Sequence, residues 1–101
     1  MKSKRSKACD ISPAVRREVM IRDGCRCIIC GSVQGIQIAH FISRARLGLG
    51  IAKNLACLCL WCHGEYDNGK LHHEIKKHFK GYLQANYDDW DETELTYKKW
   101  R

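Results

Sequence analysis

Two Cys-x2-Cys pairs, Cys27/Cys30 and Cys59/Cys62, constrain this chain more than any other feature. Each pair turns the backbone so that both sulfurs face one ion, and four thiolates satisfy the tetrahedral preference of zinc. Two such pairs rarely arise by chance in 101 residues, and buried free thiols account for one pair better than for two. A chain of this length forms one domain with a small core, and such cores are commonly stapled by a metal or by disulfides. The cysteines number seven, an odd count, and they cluster. The basic start Met1-Lys2-Ser3-Lys4-Arg5-Ser6-Lys7 is followed by no apolar leader region, and no apolar run is long enough to span a bilayer. The expected setting is a reducing cytosol, where clustered cysteines are metal ligands. Cys25 and Cys57 each precede a pair by two residues, so a shifted ligand set is an alternative. The x2 spacing, with Gly31 closing the first turn, selects Cys27 and Cys59. Cys9, Cys25 and Cys57 are left as packing residues or exposed thiols.

Around the cysteines the chain reads as short elements. Residues 1–11 form a Lys/Ser/Arg tail, expected to be mobile, able to touch phosphates but carrying no chemistry. Ser12-Pro13 reads as a helix N-cap and first helical residue. Val15, Val19 and Met20 supply an apolar stripe, and Gly24 marks a left-handed stop. Residues 36–41 read as a strand, 43–53 as a loop containing Gly48 and Gly50, and 55–60 as a half-buried apolar stretch. A helix is expected over about 60–68, stopped at Gly69. Leu71, Ile75, Phe79, Tyr82 and Leu83 then repeat at helical spacing, with Lys76, Lys77 and Lys80 on other faces. Asp91 and Glu94 read as a capping box, with Trp90 and Leu95 placed as a hydrophobic staple. Tyr97 and Trp100 close the chain. The aromatic set reads as core packing. One domain results: a tail (1–11), a zinc-knuckled core (12–69) and a helical extension (70–101).

Lys plus Arg total 18 against 11 acidic residues, a formal charge of +7. A surplus of that size on a small domain favours polyanions through counterion release. Charge alone does not separate that partner from a basic surface that only maintains solubility.

The order of the remaining polar residues decides more. His40, then Asn54, then His63 directly behind Cys62 follow one another between and after the knuckles. Arg22-Asp23-Gly24, Cys27-x2-Cys30-Gly31, Ala39-His40-Phe41, Asn54-Leu55 and Leu58-Cys59-x2-Cys62-His63 carry a resemblance to the HNH endonuclease family. The resemblance covers residues 15–69 and is nearest to the small versions of phages and prophages of Gram-positive bacteria. Arg44 and Gly48-Leu49-Gly50 also stand where that family has basic and glycine-rich positions, and Tyr97-Lys98-Lys99-Trp100 resembles the same phage group.

The resemblance implies an α+β fold, a zinc-stapled ββα-metal core with flanking N- and C-terminal helices. It implies hydrolysis of DNA phosphodiester bonds with a catalytic divalent metal, Mg²⁺, Mn²⁺ or Ni²⁺, leaving 5′-phosphate and 3′-hydroxyl ends. By the same resemblance His40 is the general base, Asn54 orients it through its amide or backbone, and His63 ligates the catalytic metal. The family usually has Asp or His before the base, as a metal ligand. Here that residue is Ala39, as in some phage relatives, so the site must be completed differently. Residues four apart on a helix share a face, which makes Asp67 the candidate second ligand, with Glu65, His72 and His73 behind it. Asp67 reads equally as an exposed helix-end residue. His72, His73 and His78 otherwise read as solvated helix residues. Arg44 and Arg46 are candidates for contacts to the DNA backbone, which position without specifying sequence. No further recognition module fits in the chain, so little sequence specificity is expected. Two rival classes remain: a noncatalytic zinc-ribbon DNA-binding protein whose metal site was lost at Ala39, and a partner-binding subunit of a larger machine such as phage packaging.

Overall fold

The computed structural model describes residues 3–99. Trp100, expected to help close the chain, lies outside the described residues. The chain folds as a small α+β unit: a two-stranded antiparallel ribbon with helices packed on both faces. Among the described residues no helix is long and apolar enough to cross a membrane.

The N-terminal segment departs from the expected tail. Residues Lys4–Cys9 form a short helix, α1, whose first turn is capped by the Ser3 hydroxyl accepting from the Ser6 N–H. Its last residue, Cys9, is buried. Helix α2, Pro13–Arg22, starts as its sequence dictates: the Ser12 hydroxyl accepts from the Val15 N–H and Pro13 needs no partner in the first turn. It ends before Gly24, whose φ of +67° a side chain would resist.

Strand β1, Ile36–His40, pairs with β2, Leu55–Cys59, in a register that sets Ile36 opposite Cys59 and His40 opposite Leu55. One cysteine knuckle thus sits at the start of β1 and His40 at its far end. Val19 of α2 packs with Ile38, Leu55 and Cys57 on one face of the ribbon. Ala39, Ala56 and Leu58 meet Tyr66, Phe79 and Leu83 on the other. Because helices cover both faces, every residue of β2 is buried and its sequence shows no alternation.

Helix α3, Leu60–Asn68, leaves β2 without a loop and stops at Gly69. Its first residue does not continue the buried stretch: Leu60 is 64% exposed. Helix α4, His72–Asn86, buries Ile75, Phe79 and Leu83 along one stripe. The capping-box segment makes only a single tight turn, Glu92–Glu94, in which Asp91 accepts from the N–H and hydroxyl of Thr93. Leu95 is buried behind it, and the Trp90 indole packs edge-on against Phe41 at 5.7 Å.

Arg22 and Asp23 tie these layers together. The Arg22 guanidinium grips Asp23 through Nε and Nη2 and donates to the carbonyls of Ala52 and Leu55 and to the Tyr87 hydroxyl. Asp23 in turn accepts the Cys57 N–H at 2.8 Å and the Tyr82 hydroxyl. A buried charge pair holds only when its remaining hydrogen-bonding capacity is met, as it is here. The Arg22-Asp23-Gly24 segment is therefore a clamp between α2, β2 and α4.

Candidate metal centre and active-site cleft

The sulfurs of Cys27, Cys30, Cys59 and Cys62 all lie within 4.8 Å of one another. Tetrahedral zinc with bonds of about 2.3 Å sets its sulfurs about 3.8 Å apart, and Cys30 and Cys59 approach to 3.6 Å. All seven cysteines are free thiols, so the donor set fits zinc. Burial pushes the Cys27 thiol up, but the backbone N–H groups of Cys30, Cys59 and Ile29 outweigh it and bring it down to about 7. The alternative sulfurs point elsewhere. Cys25 is exposed on a left-handed turn. Cys57 is buried against α2, donates to the Met20 sulfur at 3.5 Å, and is pushed up to about 12 by burial and by the Asp23 charge.

From this knuckle α3 runs back along β1, and that direction builds the second site. One turn in, the His63 Nδ1 meets the Gln37 Oε1 at 2.6 Å. The Tyr66 hydroxyl donates to the Phe41 carbonyl at 2.6 Å, pinning the helix to the end of the strand. Asp67, one turn beyond His63, lies with its carboxylate 3.7 Å from the His63 Nε2. His40, His63 and Asp67 line a single open cleft of about 750 Å³, whose rim carries Arg16, Arg44 and Asp10.

His40 is held from the N-terminal segment. Its Nε2 lies 3.0 Å from the Cys9 carbonyl, which also accepts from Arg44 Nη1 at 2.6 Å. Burial, then the nearby Arg44 and His63, lower the His40 pKa below the ordinary 6.5, although the bond to Cys9 pulls the other way. Asn54 does not reach the His40 ring. Fully buried, its amide accepts the Ile42 N–H at 2.8 Å and donates to the carbonyls of Ile42 and Leu49. Its backbone carbonyl accepts the Phe41 N–H at 2.7 Å, which extends the ribbon past His40. That bond is made to Phe41, the residue after His40.

The other candidates divide. Arg44 is committed to the N-terminal segment, with Nη2 on Asp10 at 2.8 Å. Arg46, His72 and His73 line a neighbouring cleft. Glu65 packs beside Gly69, where a glycine Cβ would meet its carboxyl at 2.5 Å, and it lines neither cleft. His78 sits on the outer side of α4 beside Lys77. Ala39 is buried in the core. Among the described residues, the four cysteines are the cluster of three or more metal-ligating side chains; His63 and Asp67 make a pair.

Two participants escaped the sequence. Gln37 lies two residues before Ala39 and so on the same strand face, which was its one available signal. The Cys9 carbonyl had none, because a backbone oxygen in a basic segment carries no mark of its use.

No protein-family model and no curated protein sequence matches the chain. In three dimensions it is similar to the solved structure of the Type IV phosphorothioation-dependent restriction endonuclease ScoMcrA, with a TM-score of 0.69 over 87% of this chain and 18% sequence identity. The chain spans 19% of that protein's length, and the likeness is one of fold.

Proposed function

We propose that this chain is a metal-dependent endonuclease of the HNH kind, hydrolysing DNA phosphodiester bonds to 5′-phosphate and 3′-hydroxyl ends. The observation that carries the reading is the convergence of His40, His63 and Asp67 on one open cleft beside Arg16 and Arg44. Helix α3 supplies His63 and Asp67, and the end of β1 supplies His40. The endonuclease name of the structural neighbour agrees with it, although this chain spans 19% of that protein's length.

In this mechanism the Nε2–H of His40 donates to the Cys9 carbonyl, leaving Nδ1 as the proton acceptor. The lowered pKa keeps the ring neutral at pH 7, as a base must be. An imidazole and a carboxylate on one helix face suit a divalent cation, and hard cations commonly take few protein ligands and complete the shell with water and phosphate oxygens. His63 and Asp67 would hold that ion without a ligand from Ala39. A cation held there would supply Lewis-acid polarisation of the phosphoryl group and would offset charge on the leaving oxygen. Asn54 keeps the chain after His40 in place. Cys27, Cys30, Cys59 and Cys62 would hold a structural zinc.

Plasmid nicking with Mg²⁺, Mn²⁺ or Ni²⁺ tests the proposal. The parent should cut with at least one of them, and His40→Ala should lose cleavage while keeping its zinc and its DNA binding, because a base acts on the transition state. The buried Ala39 favours a second reading, a noncatalytic DNA-binding protein. Failure to cut with any of the three metals, with DNA binding intact, would establish it. A phage packaging complex rests on the sequence resemblance alone, and a reducing cytosol on the clustered cysteines.

A further inference from the structure

His40, Ser43 and Asp67 border two clefts, not one. The second, about 690 Å³, opens on the other side of these residues, between the turn after β1 and the start of α4. Arg46, His73 and Lys76 line it. Three other surface cations are matched to carboxylates: Arg44 with Asp10, Lys53 with Asp89, Lys80 with Glu92. Among the described residues, no carboxylate forms an ion pair with Arg46 or Lys76. The acidic residues on this cleft are already engaged, since Glu92 pairs with Lys80 and Asp67 faces His63. The Lys76 stem is half-buried and its ammonium lies 5.9 Å from the centre of the Phe41 ring, so the charge is held at the cleft instead of sweeping free solvent.

The geometry points to a second backbone-binding site: Arg46 and Lys76, with His73 beside them, hold the phosphates of one DNA strand on the far side of the cleavage point from Arg16. The inference rests on the nuclease reading and adds a substrate requirement to it. His40 and Asp67 lie where the two clefts meet, with Arg16 and Arg44 lining one and Arg46 and Lys76 the other, so a strand held by both sets would continue in both directions through that point. A terminal phosphate would occupy only one cleft. The contacts are to phosphate, so the site positions the strand and reads no bases.

Binding of a fluorescein-labelled 20-base-pair duplex, followed by anisotropy against salt with no divalent cation added, tests this. Lys76→Gln keeps the packed stem and removes the charge; Arg46→Ala removes its partner. Each should weaken binding severalfold and lower the slope of log affinity against log salt by about 1, as loss of one phosphate contact does. Lys77→Ala, the same charge change on the outer side of α4, should leave the slope unchanged. Lys76→Gln behaving like Lys77→Ala overturns the inference. If Arg16→Ala weakens binding and Arg46 and Lys76 variants do not, this site fails while the nuclease reading stands. If the parent binds no duplex, that reading fails itself.

Discussion

His63 is held between polar neighbours on opposite sides of its ring, Gln37 at Nδ1 and Asp67 at Nε2. Donation of the Nδ1 proton to the Gln37 carbonyl fixes the tautomer that leaves the Nε2 lone pair facing Asp67, the usual way an outer partner prepares a metal-binding histidine. Loss of such partners typically costs about 10- to 100-fold in metal affinity. Gln37→Leu should therefore weaken Mn²⁺ or Ni²⁺ binding by about tenfold, whereas Gln37→Glu, which keeps an acceptor, should not. Calorimetric titration of zinc-loaded protein measures it, and equal affinities for the parent and the leucine variant would show that the bond plays no such part. His40 gives a prediction in pH. Its pKa is held below 6.5 by burial and by Arg44 and His63, with Arg16, Asp10 and Asp67 also facing the cleft. The folded state thus takes up the proton only below the unfolded value. The active, neutral form persists as pH falls through 6.5 and is lost at the lower folded pKa, and stability attached to this group falls over the same window. The acid limb of the kcat/KM profile should lie below 6.5; a limb at or above it contradicts the assigned environment.

Among the elements, α1 is the one whose part in the site depends on a close backbone approach. Gly50 lies against the carbonyls of Cys9 and Asp10, and a Cβ there would come within 2.0 Å of the Asp10 oxygen. The blocking atoms are main chain and cannot swing aside. Gly50→Ala should push the end of α1 outward, remove the Cys9 carbonyl from His40, and lower kcat by about tenfold or more, within the roughly 10²–10⁴ a general base contributes. Gly81→Ala, in α4 with no atom within 4 Å of its Cβ, should leave kcat unchanged. An active Gly50→Ala enzyme would mean that His40 does not need this contact. Helices α2 and α3 were legible in the sequence because their signals are local: Ser12-Pro13 and Gly69 act on the backbone beside them. Helix α1 was not, since six basic and small residues form a helix here by docking. His40 and His63 were legible by order, and Asp67 by helix periodicity. Gln37, Cys9 and the amide partners of Asn54 were not, because each depends on which chain segment the fold lays against which. A residue's own neighbours in sequence say nothing of that.

At the scale of the whole molecule, the cysteine site and the cleft stand at opposite ends of one ribbon. A two-stranded ribbon is marginal alone in water, and this one has only five residues in each strand. The core on its two faces is small, one cluster including Phe79 and Leu58 and the other Val19. The four-cysteine cluster joins the turn before β1 to the junction of β2 and α3. A zinc ion held there would fix where α3, the helix that carries His63 and Asp67, starts and how it lies along β1. Structural zinc contributes apparent binding energies of about 10–16 kcal/mol in zinc-finger peptides, comparable with the roughly 5–15 kcal/mol that separates a folded domain from its unfolded chain. Removing zinc with a strong chelator should collapse the cooperative thermal transition, followed by circular dichroism, and restoring one equivalent should return it. Cys59→Ser should do the same without a chelator, because β2 then loses its link to the first knuckle. Adding Mn²⁺ or Ni²⁺ at the cleft should not rescue either form, since the ligands there are assembled only once α3 is in place. A zinc-free protein that still melts cooperatively at the parent's temperature would show that the two apolar clusters suffice, and would remove the cysteines from the account of how the cleft is built.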